Sequence, residues 1–361
     1  MLKFRALKVL SVSADCEDAV TIALDVPEAL RGEYLGRAGQ HVVLRAQLGG
    51  AEERRTYSLL NAPGEWPLRI APRVHAHGKM SAHLAHELRT GDTLEVLPPN
   101  GSFTPHEPLD PGATYVAFAA GCGITPVLAI VRTLLQRSDA RVILFYGNTA
   151  SSRTMCLEEL QALKDRYMAR LALHFLMSRE PQEAELFNGR IDAARITALA
   201  GKLFEPASVR EYFVCGPGDM IEAVSGTLRE LGVEPGRVHG EHFTTAGLSA
   251  APAPAAPEAP AAPAAASGEA HVSVLMDGRR RTFSMKMDGE TVLDAAARAG
   301  LELPFSCRAG VCSTCRTKVL SGTVEMAQNY ALEDWEVAQG YILACQSRVT
   351  SRELELDYDE K

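Results

Sequence analysis

The 361-residue sequence lacks the features of an exported, membrane-spanning or nucleic-acid-binding protein. Charged residues interrupt its amino terminus, which contains no apolar core for a signal peptide. Residues 113–131 carry no charge, but Gly121, Gly123 and Pro126 break this stretch, so it does not indicate a membrane span. The net charge is -8 and no long basic run occurs, which argues against nucleic acid and anionic membrane surfaces as partners. We therefore expect a cytoplasmic protein of two or three domains.

The sequence also lacks a disulfide framework. The chain has eight cysteines, and four of them, Cys16, Cys122, Cys156 and Cys215, are scattered through it without an export signal. We interpret these four as free thiols. The other four follow a regular spacing and give the strongest functional signal in the sequence.

Cys307, Cys312 and Cys315 form a C-x4-C-x2-C loop, and Cys345 follows thirty positions later. This spacing is typical of a plant-type [2Fe-2S] cluster, in which four thiolates hold two irons. Gly310 gives backbone amides room to approach the sulfurs. A structural zinc site is the alternative, but zinc sites usually pair two C-x2-C motifs and the sequence has one.

Residues 304–315 (PFSCRAGVCSTC) and 343–346 (LACQ) resemble the cluster loop and fourth-ligand segment of plant-type ferredoxin domains. The preceding residues predict two strands joined by an Asp277-Gly278 turn and then a helix at 292–299. This order resembles the ferredoxin β-grasp, which implies a one-electron carrier over residues 271–361. Such a domain has no substrate of its own, so the rest of the chain must supply its electrons.

The first hundred residues predict an antiparallel β-barrel, because short strands alternate with turn signals. One helix, at residues 81–88, interrupts the pattern. The predicted strands are 4–12, 19–24, 40–46, 55–59, 68–72 and 93–97.

Two short segments of this barrel suit a flavin. In residues 55–58 (RTYS), an arginine can bind phosphate, a flat tyrosine can cover a ring, and a serine hydroxyl can reach a ring nitrogen. Residues 78–81 (GKMS) begin a helix, where exposed amides favour a pyrophosphate. Each segment alone is weak evidence, because an edge strand or an ordinary helix start has the same composition.

Together the two segments resemble the FAD-binding barrel of the ferredoxin-NADP reductase superfamily, which implies such a domain at residues 1–108. On that resemblance Arg55 and Ser81 hold phosphate, Tyr57 stacks on the isoalloxazine ring, and Ser58 hydrogen-bonds it. FMN in place of FAD stays open. The implied flavin-binding residues are Arg55, Tyr57, Ser58, Gly78, Lys79, Met80 and Ser81.

From residue 113 onward, strands and helices alternate, which predicts a parallel α/β sheet with helices on both faces. We expect this domain to span residues 109–246. The predicted strands are 115–119, 141–146, 171–177 and 212–215, and the predicted helices are 127–136, 157–167, 191–200 and 219–231.

Two glycine segments lie where strands of this sheet end. Residues 121–126 (GCGITP) follow the first strand, where a dinucleotide pyrophosphate is expected, and residues 215–220 (CGPGDM) follow a later one. They resemble the G-x-G-x-x-P and C-G-P-x-x-M motifs of the same superfamily, which implies that Cys215 lies beside the nicotinamide. No His or Asp pattern nearby indicates thiolate catalysis. The implied binding residues are Gly121, Gly123, Thr125, Pro126, Cys215, Gly216, Pro217 and Met220.

Ser178 and Arg179 follow the strand that ends at residue 177, which resembles the place where NADPH-preferring members hold the 2'-phosphate. We expect NADPH, with NADH open, and Arg153 and Arg190 are further candidates for the same phosphate. Near the end of this domain, Glu241 resembles a carboxylate that approaches the flavin in the superfamily. We therefore name Ser58, Cys215 and Glu241 as catalytic candidates, and a plain terminal strand is the alternative for Glu241.

Residues 247–270 predict a linker, because positions 250–266 contain eleven Ala, five Pro and one Glu and cannot form a core.

The linker joins two kinds of redox chemistry. NAD(P)H gives up two electrons together, the cluster accepts one, and a flavin mediates between them. The predicted order of electron flow is therefore nicotinamide, flavin, cluster and an external acceptor.

Domain order and the segments 39–42 (GQHV), 54–58 (RRTYS) and 120–126 (AGCGITP) resemble the reductase components of bacterial oxygenases. Within them, the resemblance is greatest to the family of phenylacetyl-CoA epoxygenase reductase subunits. It implies a diiron oxygenase complex that epoxidises the ring of phenylacetyl-CoA as partner. Reductases for a ring-hydroxylating dioxygenase or a hybrid-cluster protein share these motifs, and a redox-sensing interaction protein is the non-enzymatic alternative.

Cys122 stands where the glycine motif more usually has Ser or Thr, and this departure is testable. We expect Cys122→Ser to keep its activity, because a hydroxyl fits the same space in the loop. The measurement is the rate of flavin reduction by NADPH. A loss greater than about tenfold would contradict this interpretation, since it exceeds what removing a non-catalytic thiol explains.

Overall fold

The computed structural model describes residues 3–243, 268–287 and 289–360. Contacts divide the chain into a first unit, Phe4–Gly247, and a second unit within Leu248–Lys361. Most of the predicted linker lies outside the described residues. None of the described helices combines the length and apolar composition that crossing a bilayer requires.

The first unit begins with the predicted antiparallel barrel. Its strand order is β4-β3-β6-β1-β2-β5, and a bridge between Leu59 and Ile70 links the end of β4 to β5, which closes the sheet. Side chains alternate along β1, where Leu7 and Val9 are fully buried between exposed neighbours, as one face of a strand requires. The strands are β1 (Arg5–Cys16), β2 (Ala19–Asp25), β3 (His41–Leu48), β4 (Ala51–Ser58), β5 (Leu68–Ile70) and β6 (Thr93–Val96).

Two details of the barrel differ from the sequence prediction. A short helix, α1 (Arg31–Tyr34), was not predicted, and it is anchored because the buried Tyr34 hydroxyl donates to the Val96 carbonyl at 2.7 Å. The predicted helix at 81–88 is instead one α-helical turn, α2 (Lys79–Ala82), followed by a π turn, His83–Glu87. Single π turns are common at functional positions, and this one follows the predicted flavin segment.

The rest of the first unit is a parallel five-stranded sheet with strand order β11-β10-β7-β8-β9, as the alternating pattern predicted. Central strands are apolar along their length, because helices cover both faces of such a sheet. The sheet consists of β7 (Thr114–Ala120), β8 (Arg141–Asn148), β9 (Leu171–Met177), β10 (Val209–Gly216) and β11 (Val238–His242). The helices are α3 (Ile124–Arg137), α4 (Leu157–Arg166), α5 (Ala193–Leu199) and α6 (Gly218–Glu230).

The second unit has a mixed five-stranded sheet with strand order β13-β12-β18-β14-β16, in which β12 and β18 run parallel. A small β15-β17 pair lies outside this sheet. The strands are β12 (Glu269–Met276), β13 (Arg279–Lys286), β14 (Arg316–Ser321), β15 (Val324–Met326), β16 (Tyr341–Leu343), β17 (Ser347–Val349) and β18 (Glu353–Asp357), and the helices are α7 (Val292–Arg298) and α8 (Asp334–Ala338).

A close backbone approach fixes the junction between α3 and β10. Gly123 lies immediately before α3, and an added Cβ would stand 2.0 Å from the carbonyl oxygen of Cys215, which is far inside contact distance. Only glycine therefore allows the turn at residues 121–123 to lie against the end of β10.

We predict that Gly123→Ala lowers the free energy of unfolding by about 3 kcal/mol, because the methyl group must push two backbone segments apart. Gly226 within α6 is the matched control, since nothing lies within 4 Å of its added Cβ. Gly226→Ala should raise stability by about 0.5–1 kcal/mol. Denaturant unfolding of both variants measures the difference, and equal stability would contradict the close approach.

Candidate electron-transfer sites

The predicted flavin residues of β4 lie at the end of the strand that faces β3. Tyr57 is half-buried and Ser58 is buried, and Ser58 pairs with His41 across the two strands. Burial raises the pKa of Tyr57 far above its usual range, so its ring stays uncharged. An uncharged aromatic side chain beside a buried hydroxyl suits a flat, largely apolar ring with polar edges.

Glu241 on β11 meets these barrel residues from the nucleotide side of the unit. Its Oε1 lies 3.7 Å from His41 Nδ1, and its side chain is 12% exposed. Burial raises the pKa of Glu241, although the neighbouring His41 and Ser58 side chains partly oppose the shift. The raised pKa favours the protonated carboxyl at higher pH than usual, which is typical of groups that hold a proton at a reaction centre.

Cys215 is the register partner of Glu241, so the three predicted catalytic residues gather at one junction. The thiol is fully buried, and burial together with the nearby Glu241 raises the pKa of Cys215 well above its usual range. A neutral thiol is a poor nucleophile. The neutral thiol is in line with the absence of a pattern for thiolate catalysis, and the placement of Cys215 beside the nicotinamide stays a prediction.

The glycine turn at residues 121–123 brings the two nucleotide motifs together. Gly123 packs on the Cys215 carbonyl group, and an added Cβ on Gly216 would lie 2.6 Å from Met220 Cε. The Thr125 hydroxyl donates to the Cys122 carbonyl at 3.0 Å, which caps the turn where α3 begins. Both motifs therefore share one edge of the sheet, as dinucleotide binding requires.

A side-chain hydrogen bond and a close neighbouring side chain also hold Gly121 in place. The buried Tyr146 hydroxyl donates to the Gly121 carbonyl at 3.0 Å. On the other side, an added Cβ on Gly121 would lie 2.8 Å from Arg73 Nη1, and Arg73 Nε donates to Asp18 at 3.1 Å. The sequence analysis missed Arg73, because an isolated arginine outside any motif gives no signal.

The second flavin segment, residues 78–81, carries a charge arrangement that the sequence did not predict. Glu53 on β4 pairs with Arg55 at 2.9 Å and with Lys79 at 3.4 Å, so one carboxylate joins the two basic residues. Both cations are more than half exposed. Two neighbouring cations suit a phosphate group.

Ser81 has a local role in this segment. Its hydroxyl donates to the Gly78 carbonyl at 3.1 Å and accepts from the His75 amide at 3.3 Å. The side chains of Ser81 and Met80 are buried, and they shape both the turn before α2 and α2 itself.

Ser178 and Arg179 are exposed just beyond β9, where the 2'-phosphate of NADPH was expected. Arg153 and Arg190, the other two residues predicted to bind that phosphate, each form an ion pair with a carboxylate. Arg153 binds Asp18, and Arg190 Nη1 lies 3.5 Å from Asp219.

The four predicted cluster cysteines converge in the second unit. Cys307 and Cys312 are within hydrogen-bonding contact, and so are Cys315 and Cys345. The Cys312 thiol lowers the pKa of Cys307 to about 5, with help from the amides of Ala309, Val311 and Cys312. Four converging thiols with backbone N–H groups directed at sulfur fit a [2Fe-2S] cluster, whose bound sulfurs accept such hydrogen bonds.

Backbone strain shapes the cluster loop. Arg308, Gly310 and Ser313 have positive φ angles of 56°, 75° and 48°. At Gly310 an added Cβ would also lie 3.0 Å from the Gln328 carbonyl oxygen. The Gln346 amide donates to the Arg308 carbonyl at 2.9 Å, which holds the loop against the segment that carries the fourth cysteine.

Comparison with protein families matches all three parts of the chain. Residues 7–104 match the oxidoreductase FAD-binding domain, residues 118–226 the oxidoreductase NAD-binding domain, and residues 274–350 the 2Fe-2S iron-sulfur cluster binding domain. These matches confirm FAD, a nicotinamide dinucleotide and [2Fe-2S] as the cofactors. They do not distinguish NADPH from NADH.

Curated relatives match nearly end to end. The chain is 37% identical to one subunit of the 1,2-phenylacetyl-CoA epoxidase of Escherichia coli (strain K12), over 100% of this chain and 99% of the relative. It is 33% identical to the 3-ketosteroid-9-alpha-monooxygenase, ferredoxin reductase component, of Rhodococcus rhodochrous, over 97% of this chain and 96% of the relative.

Solved structures share the architecture. Phthalate dioxygenase reductase aligns with a TM-score of 0.55 at 25% identity and covers 98% of both chains. A ferredoxin NADP+ reductase from Neisseria gonorrhoeae, with bound FAD and NADP, aligns with a TM-score of 0.57 at 24% identity. It covers 67% of this chain and 99% of its own, and at this identity it shows the fold alone.

These findings confirm the predicted fold class and the prediction of an NAD(P)H-dependent oxidoreductase, and they set aside the non-enzymatic alternative. The relatives that match over most of both chains are reductase components of oxygenase systems. The chain therefore belongs to the ferredoxin-NADP reductase superfamily, within the family of oxygenase reductase components that combine FAD-binding, NAD-binding and [2Fe-2S] domains.

Proposed function

We propose that this protein delivers electrons from NADPH to a diiron oxygenase that epoxidises phenylacetyl-CoA. The observation that carries this proposal is the 37% identity over the full length of both chains to the epoxidase component from Escherichia coli. The second candidate acceptor is the oxygenase of 3-ketosteroid 9-alpha-hydroxylation, favoured by the 33% identical relative from Rhodococcus rhodochrous.

We propose domain boundaries at residues 1–108, 109–246, 247–270 and 271–361 for the barrel, the nucleotide domain, the linker and the ferredoxin domain. The family matches at 7–104, 118–226 and 274–350 support this division. Cys16, Cys122, Cys156 and Cys215, which lie outside the predicted cluster, are free thiols, and they support a reducing, cytoplasmic location.

FAD, when bound, accepts two electrons from the nicotinamide and releases them singly to the [2Fe-2S] cluster. The chain's own residues bind and orient these groups. Tyr57 covers the isoalloxazine ring, and the Arg55 and Lys79 cations, which share Glu53, hold phosphate. Ser58 donates its hydroxyl at the ring edge.

Glu241 holds a proton beside this site. Its carboxyl contacts His41 Nδ1 and the Ser58 hydroxyl, and burial keeps its pKa raised. Such a group stores a proton close to a ring nitrogen without exposing it to water. Cys215 presents a small uncharged side chain next to Glu241.

On the nucleotide side, Gly121, Gly123, Thr125 and Pro126 form the pyrophosphate turn at the start of α3. Gly216, Pro217 and Met220 shape the adjacent wall. The exposed Ser178 and Arg179 bind the 2'-phosphate, which gives the proposed preference for NADPH.

Turnover with candidate oxygenases tests the proposal. The purified reductase is mixed with NADPH and either a phenylacetyl-CoA epoxygenase complex or a 3-ketosteroid oxygenase, and the oxygenated products are measured. We expect epoxide from phenylacetyl-CoA and at least about tenfold less ketosteroid product, since binding to the wrong partner loses complementary contacts. Ketosteroid turnover without epoxide would assign the reductase to the second acceptor.

We predict that Cys345→Ser separates the two halves of the electron path. The variant loses a ligand of the cluster, so oxygenase turnover should fall to background, while NADPH still bleaches the flavin absorbance at the wild-type rate. Cys16→Ser removes a partly buried thiol outside the cluster and is the control. A Cys345→Ser protein with wild-type turnover would contradict the assignment of this ligand.

We predict that Glu241→Gln changes stability in a pH-dependent way. The folded pKa of Glu241 lies above its ordinary value of 4.5. Between the ordinary pKa and the folded pKa, the carboxyl ionises in the unfolded chain but stays protonated in the folded protein, so the wild-type protein loses stability as pH rises. The Gln variant lacks this loss, so its Tm relative to wild type should increase as pH rises above the ordinary pKa of the carboxyl.

Glu230→Gln, at an exposed position on α6, is the control for the Glu241 experiment. Its Tm difference from wild type should not depend on pH. If the Glu241→Gln difference is also constant, or shrinks as pH rises, then the carboxyl is not a buried group with a raised pKa.

A further inference from the structure

Three side chains with metal-binding atoms meet in the first unit, away from the nucleotide motifs. His106 lies in the segment between β6 and β7, Glu211 lies on β10, and His239 lies on β11. One ring nitrogen from each histidine and a carboxylate oxygen of Glu211 all lie within 4.8 Å of one another. The sequence analysis missed this cluster because its members are far apart along the chain. His106 and Glu211 are more than a hundred residues apart, and the connection between β10 and β11 separates Glu211 from His239.

Glu211 is the centre of the cluster. His106 Nδ1 lies 2.5 Å from Glu211 Oε1, and the His106 backbone N–H donates to Oε2 at 3.2 Å. His239 Nε2 lies 4.0 Å from Oε2. The His239 ring stacks on Phe213 with a centroid distance of 5.2 Å, which fixes its orientation towards Glu211.

Burial makes the charge of Glu211 expensive. The side chain of Glu211 is 1% exposed and that of His239 is 3% exposed. In the described parts of the chain, the ion pairs and hydrogen bonds of Glu211 come from the two histidines, while the neighbouring Arg210 pairs with Asp110. A divalent cation at the centre of the cluster would compensate the charge of this buried carboxylate.

We propose that His106, Glu211 and His239 bind a divalent transition-metal ion, and that zinc suits this site best. Two imidazole nitrogens and one carboxylate oxygen are a usual ligand set for zinc, which leaves a fourth position for water. Bond lengths of about 2.0–2.2 Å in tetrahedral geometry place ligand atoms about 3.4 Å apart.

The site can reach this geometry by a small movement. His106 is 53% exposed, so its ring can shift by about 1 Å without disturbing the core, and its open side gives the ion a path of entry. Glu211 and His239 stay fixed on paired strands, where Tyr212 is the register partner of Val238.

The position of the site indicates a structural role. Glu211 lies four residues before Cys215 on β10, which is about 13 Å along a strand. On β11, His239 lies two residues before Glu241, so both of these ligands precede the nicotinamide junction along their strands. The ion ties the segment between barrel and sheet to β10 and β11, and it stabilises the first unit because it binds only the folded arrangement.

Zinc binding to the untagged holoprotein, with FAD and the iron-sulfur cluster in place, tests the proposal. The protein is stripped of loose metal with a chelator, and zinc is then titrated in competition with a chromophoric chelator. We expect one tight site per chain, and we expect zinc to raise Tm. His106→Ala should weaken zinc binding at least about tenfold, because it removes a direct ligand.

His83→Ala is the matched control, since His83 forms an exposed pair with Glu87 at 2.8 Å on the π turn. It should leave the tight site unchanged. Glu211→Gln is a second variant that should weaken zinc binding by a similar factor, because it removes the anionic ligand. Unchanged flavin and cluster absorbance of His106→Ala shows that the exposed replacement has not disrupted folding.

Equal zinc affinity in the wild-type protein and His106→Ala would overturn the proposal, and so would the absence of a tight site in the wild-type protein. Either result would mean that the three residues form a cluster of polar contacts that binds no metal ion. Neither result depends on which oxygenase accepts the electrons, because the readout is metal binding.

Discussion

The first unit depends on one close approach between two backbone segments. Gly123, at the start of α3, packs on the Cys215 carbonyl group at the end of β10 with no space for a side chain. Because this contact joins the two glycine motifs, it sets the width of the edge where the pyrophosphate and the nicotinamide are expected to bind. Any larger residue at position 123 would separate the glycine turn at residues 121–123 from the wall formed by Gly216 and Met220.

A second constraint holds the barrel and the sheet together at the same place. Glu241 on β11 reaches His41 and Ser58 of the barrel, so a carboxyl group is buried where two domains meet. Burying an ionisable group costs stability, and proteins retain such groups mainly where they act. The same junction therefore provides both the architecture of the first unit and the proton-holding group that we assign to the reaction.

The sequence was most informative where the chemistry of a site fixes the spacing of its residues along the chain. The four cluster cysteines were identified because a [2Fe-2S] cluster requires one tight loop and one distant ligand, and the barrel and sheet followed from strand periodicity and glycine turns. It was least informative about side chains that act through tertiary contacts. Arg73 and His106 have no local pattern, and only the fold brings them to Gly121 and Glu211. His41 lies in a segment that resembles the family, but its contact with Glu241 was not predicted.

The central claim is that electrons pass from the nicotinamide through the flavin to the cluster of the same chain. Anaerobic mixing of NADPH with the holoprotein and with a flavin-free form tests it most directly, with flavin absorbance and the electron paramagnetic resonance of the cluster as readouts. We expect flavin bleaching first, cluster reduction second, and full reduction at about one and a half equivalents of NADPH per chain. Cluster reduction at the same rate in the flavin-free form would contradict the account.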